Sequence, residues 1–108
     1  MLEIEEGSGS VYRDLQVVDA ETMYVKAQLA NKISDIIRRR RLTQQQAALV
    51  LGIPQPTLSS MLRGRFRDIS EAKMLECLNR LGQDVDIVIR KAPRNHPLGQ
   101  TQVLFSHP

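Results

Sequence analysis

The sequence predicts a mainly α domain of about four to five helices with one β-strand near its carboxyl end. Three observations carry that expectation. Apolar residues recur at steps of three and four through several separate stretches; threonine, serine and glycine stand where those stretches begin and end; and a single run, DVDIVIR at residues 84–90, alternates apolar with polar instead.

Taken in order, residues 1–18 open acidic and Gly/Ser-rich (MLEIEEGSGS) and continue with scattered apolar residues, which predicts a flexible acidic leader. Asp19 is placed to cap the first long helix, with Glu21 favourable in its first turn. Val25, Leu29, Ile33, Ile36 and Ile37 then form an apolar stripe, and Lys26, Lys32 and Asp35 fall off it. Such a helix packs its stripe on the rest of the domain; a helix that docks on a partner has the same pattern.

Residues 42–64, LTQQQAALVLGIPQPTLSSMLRG, form the centre of the chain. Thr43 and Gln46 make a capping box, so a helix starts at Gln44. Ala47, Ala48 and Leu51 are its buried stripe, and Gly52 supplies the left-handed residue that ends it. A second helix runs from about Gln55 to Arg63 with Leu58, Met61 and Leu62 inward, leaving Gln55, Pro56, Thr57, Ser60 and Arg63 outward or at its exposed amino end. The order Gln44, Ala48, Gly52 and Leu58 resembles a helix-turn-helix of the phage-repressor type.

After Gly64, RFRDIS reads as a basic loop anchored by Phe66 and Ile69. Ser70 caps a further helix with Met74, Leu75, Leu78 and Leu81 inward, and Gly82 ends it. Cys77 lies in this apolar helix with no activating base nearby in sequence, so it reads as a buried structural thiol. Residues 19–82 are thereby the helical domain. In residues 83–92, Val85, Ile87 and Ile89 alternate with Asp84, Asp86 and Arg90, and no second convincing strand precedes them. A lone strand leaves backbone donors and acceptors unpaired on both edges. The expectation is that it pairs with its twin across a homodimer, through Val85, Ile87, Val88 and Ile89; TQVLF at residues 101–105, folding back, is the alternative partner. Residues 93–108 otherwise read as a flexible tail.

Composition excludes several classes. The chain has 108 residues, 42% hydrophobic and 25% charged, as expected for one soluble domain. It contains no apolar run of membrane-spanning length and no signal peptide, which points to a cytoplasmic protein without membrane partners. One cysteine excludes an intrachain disulfide framework, and no cluster of metal ligands or cofactor-binding motif is present. No catalytic constellation stands out, so the sequence does not read as an enzyme. Charge is uneven: residues 1–37 hold seven acids and three bases, whereas residues 38–67 hold seven arginines and no acid. That basic block coincides with the two central helices and draws a polyanion.

KAQLANKISDIIRRRRLTQQQAALVLGI, SSMLRGRF and LNRLGQDVDIVI resemble, over residues 10–94, the XRE-type helix-turn-helix proteins of the HigA-like antitoxin group. The resemblance implies double-stranded DNA as partner, read as a palindromic operator by a cytoplasmic homodimer acting as repressor, and a ribonuclease-type toxin that the protein neutralises. On that reading Gln55 contacts a base edge, Pro56, Thr57 and Ser60 lie against the groove, Gln44 reaches a phosphate, and Arg63, Arg65, Arg67 and Arg41 neutralise others. One departure is Pro54, where members of the group commonly have a capping Ser or Asp. The competing readings are a protein-interaction module that holds a toxin with little or no DNA binding, and a stand-alone repressor without a toxin.

Overall fold

A computed structural model describes residues 8–96 and 98–106, with side chains described from residue 15 onward. Four helices follow one another: α1 (Ser8–Arg39), α2 (Gln44–Leu51), α3 (Gln55–Leu62) and α4 (Glu71–Arg80). The long α1 packs on α3 and α4, and α2 packs on the same two helices. Val25, Leu29, Ile33, Ile36 and Ile37 of α1 meet Ala47, Ala48 and Leu51 of α2, Leu58 and Met61 of α3, and Met74, Cys77 and Leu78 of α4 in one core. Burying a leucine or isoleucine of this kind contributes about 1.5–3 kcal/mol, so these contacts hold two helices that are too short to persist alone.

Local chemistry sets the helix boundaries. The Thr43 hydroxyl accepts from the Gln46 amide at 3.1 Å, and the Gln46 side chain accepts from the Thr43 amide at 2.9 Å, which completes the capping box of α2. Ser70 accepts from the Lys73 amide at 3.1 Å and starts α4. At the carboxyl ends a left-handed residue follows each helix: Arg41 after α1, Gly52 after α2, Gly64 after α3 and Gly82 after α4. The chain reverses there with the hydrogen bonds of a Schellman turn, such as Gly82 N–H to the Asn79 carbonyl at 3.0 Å and Gln83 N–H to the Leu78 carbonyl at 2.9 Å.

Three features differ from the sequence reading. First, α1 begins at Ser8, so Asp19 lies inside the helix instead of capping it. Leu15 and Val18 continue the Val25 and Leu29 stripe by steps of three and four but reach beyond the packed body, and both are exposed. Residues 1–7 of the expected leader lie outside the described residues. Second, Lys26 is buried, and its Nζ donates to the Arg67 carbonyl at 2.8 Å, tying the 64–69 loop to α1.

Third, the expected β-strand is absent: no residue of 83–92, and none elsewhere among the described residues, is in a strand. Val85 still packs against the core, but Ile87, Val88 and Ile89 are exposed. Alternation marks which side chains share a face; it does not supply the second edge a strand must bond to, and this four-helix body offers none. Nor does the 101–105 segment pair with it. That segment lies along α1 instead: the Thr101 amide donates to Glu21 at 3.1 Å, Val103 packs against the core, and the Lys32 ammonium sits 5.4 Å from the centre of the Phe105 ring.

Candidate nucleic-acid interface

Helices α2 and α3 turn polar side chains outward at their amino ends because Ala47, Ala48, Leu51, Leu58 and Met61 are committed inward, while Leu49 and Val50 of α2 are exposed. On α2, Ala47, Ala48 and Leu51 are buried, which turns Gln44, Gln45 and Gln46 outward at the amino end. On α3, Leu58 and Met61 are buried, which leaves Gln55 and Pro56 exposed, Thr57 and Ser60 half-buried, and Arg63 exposed at the carboxyl end. Gly52 joins the helices with φ 69°, and a side chain there would meet the Arg80 guanidinium at 3.0 Å. Arg80 is held over the turn by Glu76, whose carboxylate accepts from it at 3.3 Å. The neighbouring Lys73 charge and this hydrogen bond keep Glu76 below its ordinary pKa, so the pair is charged at neutral pH. The link between α4 and the turn is legible in sequence only as an i, i+4 pair.

The amino end of α3 is open. Pro54 occupies the cap position at φ −62° and ψ 144° and makes no side-chain cap hydrogen bond. Pro56 has no amide hydrogen, so in the first turn Gln55 and Thr57 are the residues with backbone N–H groups still seeking an acceptor. Together with the Gln55 side chain, this end offers donors to anything placed against it, and the helix dipole there favours negative charge.

The seven arginines of the basic block divide into two sets. Arg38 and Arg39 pair with Asp35 at 3.9 and 3.2 Å. Arg40 donates to the Leu81 carbonyl and so ties the end of α1 to the end of α4. Arg67 pairs with Asp19 at 3.0 Å, an exposed bridge. Arg41, Arg63 and Arg65 have neither an acidic partner nor a side-chain hydrogen bond among the described residues, and all three are exposed. Arg65 is oriented by the turn that ends α3, where its amide donates to the Ser60 carbonyl at 2.8 Å. Sequence reasoning placed Arg63, Arg65, Arg67 and Arg41 together as cations; the structure separates Arg67 from the others, because Asp19 approaches from a helix 48 positions away.

Other chemistry is sparse. Burial raises the Cys77 thiol above its ordinary pKa and keeps it protonated, which suits packing and not nucleophilic attack. Among the described residues no group of three or more His, Cys, Asp or Glu is arranged to hold a metal, and no helix is long and apolar enough to cross a membrane.

A family model described as a helix-turn-helix domain matches residues 11–90. A solved structure assigned to the XRE family of transcriptional regulators is 39% identical to this chain and superposes with a TM-score of 0.76, over 82% of this chain and 99% of that one. No match is found among curated proteins.

Proposed function

The chain belongs to the XRE-type helix-turn-helix family of transcriptional regulators, and from that premise we propose that it is a repressor that binds a palindromic operator as a homodimer. As a family member it is a sequence-specific DNA-binding regulator, not an enzyme. The observation that carries the finer reading is the open amino end of α3, in a helix pair preceded by Arg41 and followed by Arg63 and Arg65, which have no partner among the described residues. The helix enters the major groove amino end first, and the Gln55 amide gives and takes a hydrogen bond on an adenine edge. Thr57 and Ser60 add hydroxyl or methyl contacts, with Pro56 against the groove wall. Gln44 donates to a phosphate from the start of α2. Arg63 and Arg65 neutralise phosphates directly. Arg67 joins them by exchanging Asp19 for a phosphate, a small loss because an exposed ion pair is worth about 0–1 kcal/mol.

Gln55→Ala is expected to weaken binding to the preferred duplex by about 1–3 kcal/mol and to relax preference at one base pair, measured on duplexes selected from a random pool. Equal weakening on every sequence would remove Gln55 as a base reader. For the dimer, the exposed run of Ile87, Val88 and Ile89 supports a contact between copies without any strand, since three consecutive exposed aliphatic side chains are unfavourable in water. Ile87→Asp is expected to sediment as a monomer where the parent sediments as a dimer; a dimeric variant would move the contact elsewhere.

The resemblance to HigA-like antitoxins extends the proposal to a toxin partner. Leu15, Val17 and Val18 are exposed on the amino-terminal part of α1, beside Asp19 and within the acidic region of the chain, a surface that suits a basic protein. Co-expression with the adjacent reading frame tests this: a complex and relief of growth arrest support it, and their absence leaves a stand-alone repressor.

A further inference from the structure

All four helices end on a left-handed residue, and the chain places glycine at three of those positions: Gly52, Gly64 and Gly82, with φ of 69°, 86° and 80°. Only α1 ends on a residue with a Cβ. Arg41 has φ 55° and is the one non-glycine residue of positive φ among the described residues. Its backbone does the work a glycine would do: the Arg41 amide donates to the Arg38 carbonyl at 3.0 Å and the Leu42 amide to the Ile37 carbonyl at 3.1 Å. A Cβ in this conformation crowds the following carbonyl, so the position is strained for arginine and relaxed for glycine.

Nothing within the described molecule offsets that strain. Its neighbours Arg38 and Arg39 pair with Asp35, and Arg40 holds the Leu81 carbonyl, whereas the exposed Arg41 side chain has no ion pair and no hydrogen bond among the described residues. It stands two residues before Thr43, the cap of α2, and three before the exposed Gln44. We infer that Arg41 is a phosphate contact at the edge of the DNA-binding face, and that the turn keeps an arginine in a glycine conformation for that contact. Strain held in one place and recovered in binding is characteristic of functional positions. The inference rests on the DNA-binding reading above and deepens the Arg41 contact that the family resemblance implies: the contributions of this residue to folding and to binding have opposite sign.

The test compares full-length Arg41→Gly, Arg41→Lys and Arg41→Gln with the parent, and uses Arg65→Ala as a reference. Thermal unfolding is measured without DNA. Binding to a selected duplex and to a scrambled duplex is measured by fluorescence anisotropy across a range of salt concentrations. Arg41→Gly is expected to unfold a few degrees higher than the parent. It is also expected to bind both duplexes more weakly by a similar factor, on the order of fivefold at 0.15 M salt, with the salt slope smaller by about one unit. Arg41→Lys keeps the parent's slope and Arg41→Gln loses it, both with the parent's unfolding midpoint, which separates the charge from the backbone. If Arg65→Ala weakens binding while Arg41→Gly binds with the parent's affinity and slope, Arg41 is no phosphate contact and the inference falls alone. If Arg41→Gly is no more stable than the parent, the strain it invokes is absent and the inference falls as well. A parent that binds neither duplex overturns the DNA-binding reading and this inference together.

Discussion

Helices α2 and α3 are each eight residues long, lie on either side of one glycine and bury a similar apolar stripe, yet their amino ends are built in opposite ways. The end of α2 is closed on itself by Thr43 and Gln46, which satisfy two orphan donors reciprocally. The end of α3 is left open by two prolines, one at the cap and one in the first turn, with no side-chain hydrogen bond. A closed end holds a helix in place by local bonds. An open end leaves donors for another molecule, and the helix must then be held by tertiary packing. This difference suits a helix that positions and a helix that reads.

Three substitutions probe that contrast, beginning with the largest effect. Leu58 is fully buried and anchors α3. Leu58→Ala is expected to lower stability by about 2–5 kcal/mol in denaturant unfolding, a large share of the 5–15 kcal/mol typical of a domain. A loss below 1 kcal/mol would mean that α3 is held by something other than its packing. Thr43→Ala removes half of the capping box and should lower stability by about 1 kcal/mol. On the proposed reading, in which α2 positions and α3 reads, base preference is expected to stay intact; an altered preference would make α2 a reader too. Pro54→Ser gives α3 the cap it lacks. The new hydroxyl contributes up to about 1 kcal/mol, and the lost rigidity of proline in the unfolded chain removes about 0.4–1 kcal/mol. Unfolding is therefore expected to move by no more than about 0.5 kcal/mol in either direction, and a larger gain would show that the proline backbone contributes little to the turn.

Much of the helical core was legible in the sequence. The capping box at Thr43, the serine cap at Ser70, the glycine turns at Gly52 and Gly82, and the buried stripe from Val25 to Ile37 all depend on residues within a few positions of one another. The amino end of α1 was not legible. Thr22 interrupts the apolar stripe between Val18 and Val25, and Asp19 has the chemistry of a cap while serving as the partner of Arg67. Of the site residues, the outward placement of Gln44, Gln55 and Pro56 followed from the helical period. The sorting of the arginines did not, because Asp35 lies in the same helix as Arg38 and Arg39, whereas Asp19 and Leu81 reach Arg67 and Arg40 from distant positions.

The alternation at residues 84–90 is the instructive failure. Its period suggested a strand, but a strand is a relation between two segments, and the chain leaves Ile87, Val88 and Ile89 exposed past the end of the body. The sequence by itself determined where α2, α3 and α4 start and stop and which faces of the helices are buried, because caps and periodicity act over one or two turns of chain. Only the tertiary structure decided that Lys26 is buried against the Arg67 carbonyl, that residues 101–105 lie on α1, and that Arg41, Arg63 and Arg65 have no partner among the described residues. Those outcomes turn on groups brought together from far apart in the chain, and no local pattern encodes a distance across the fold.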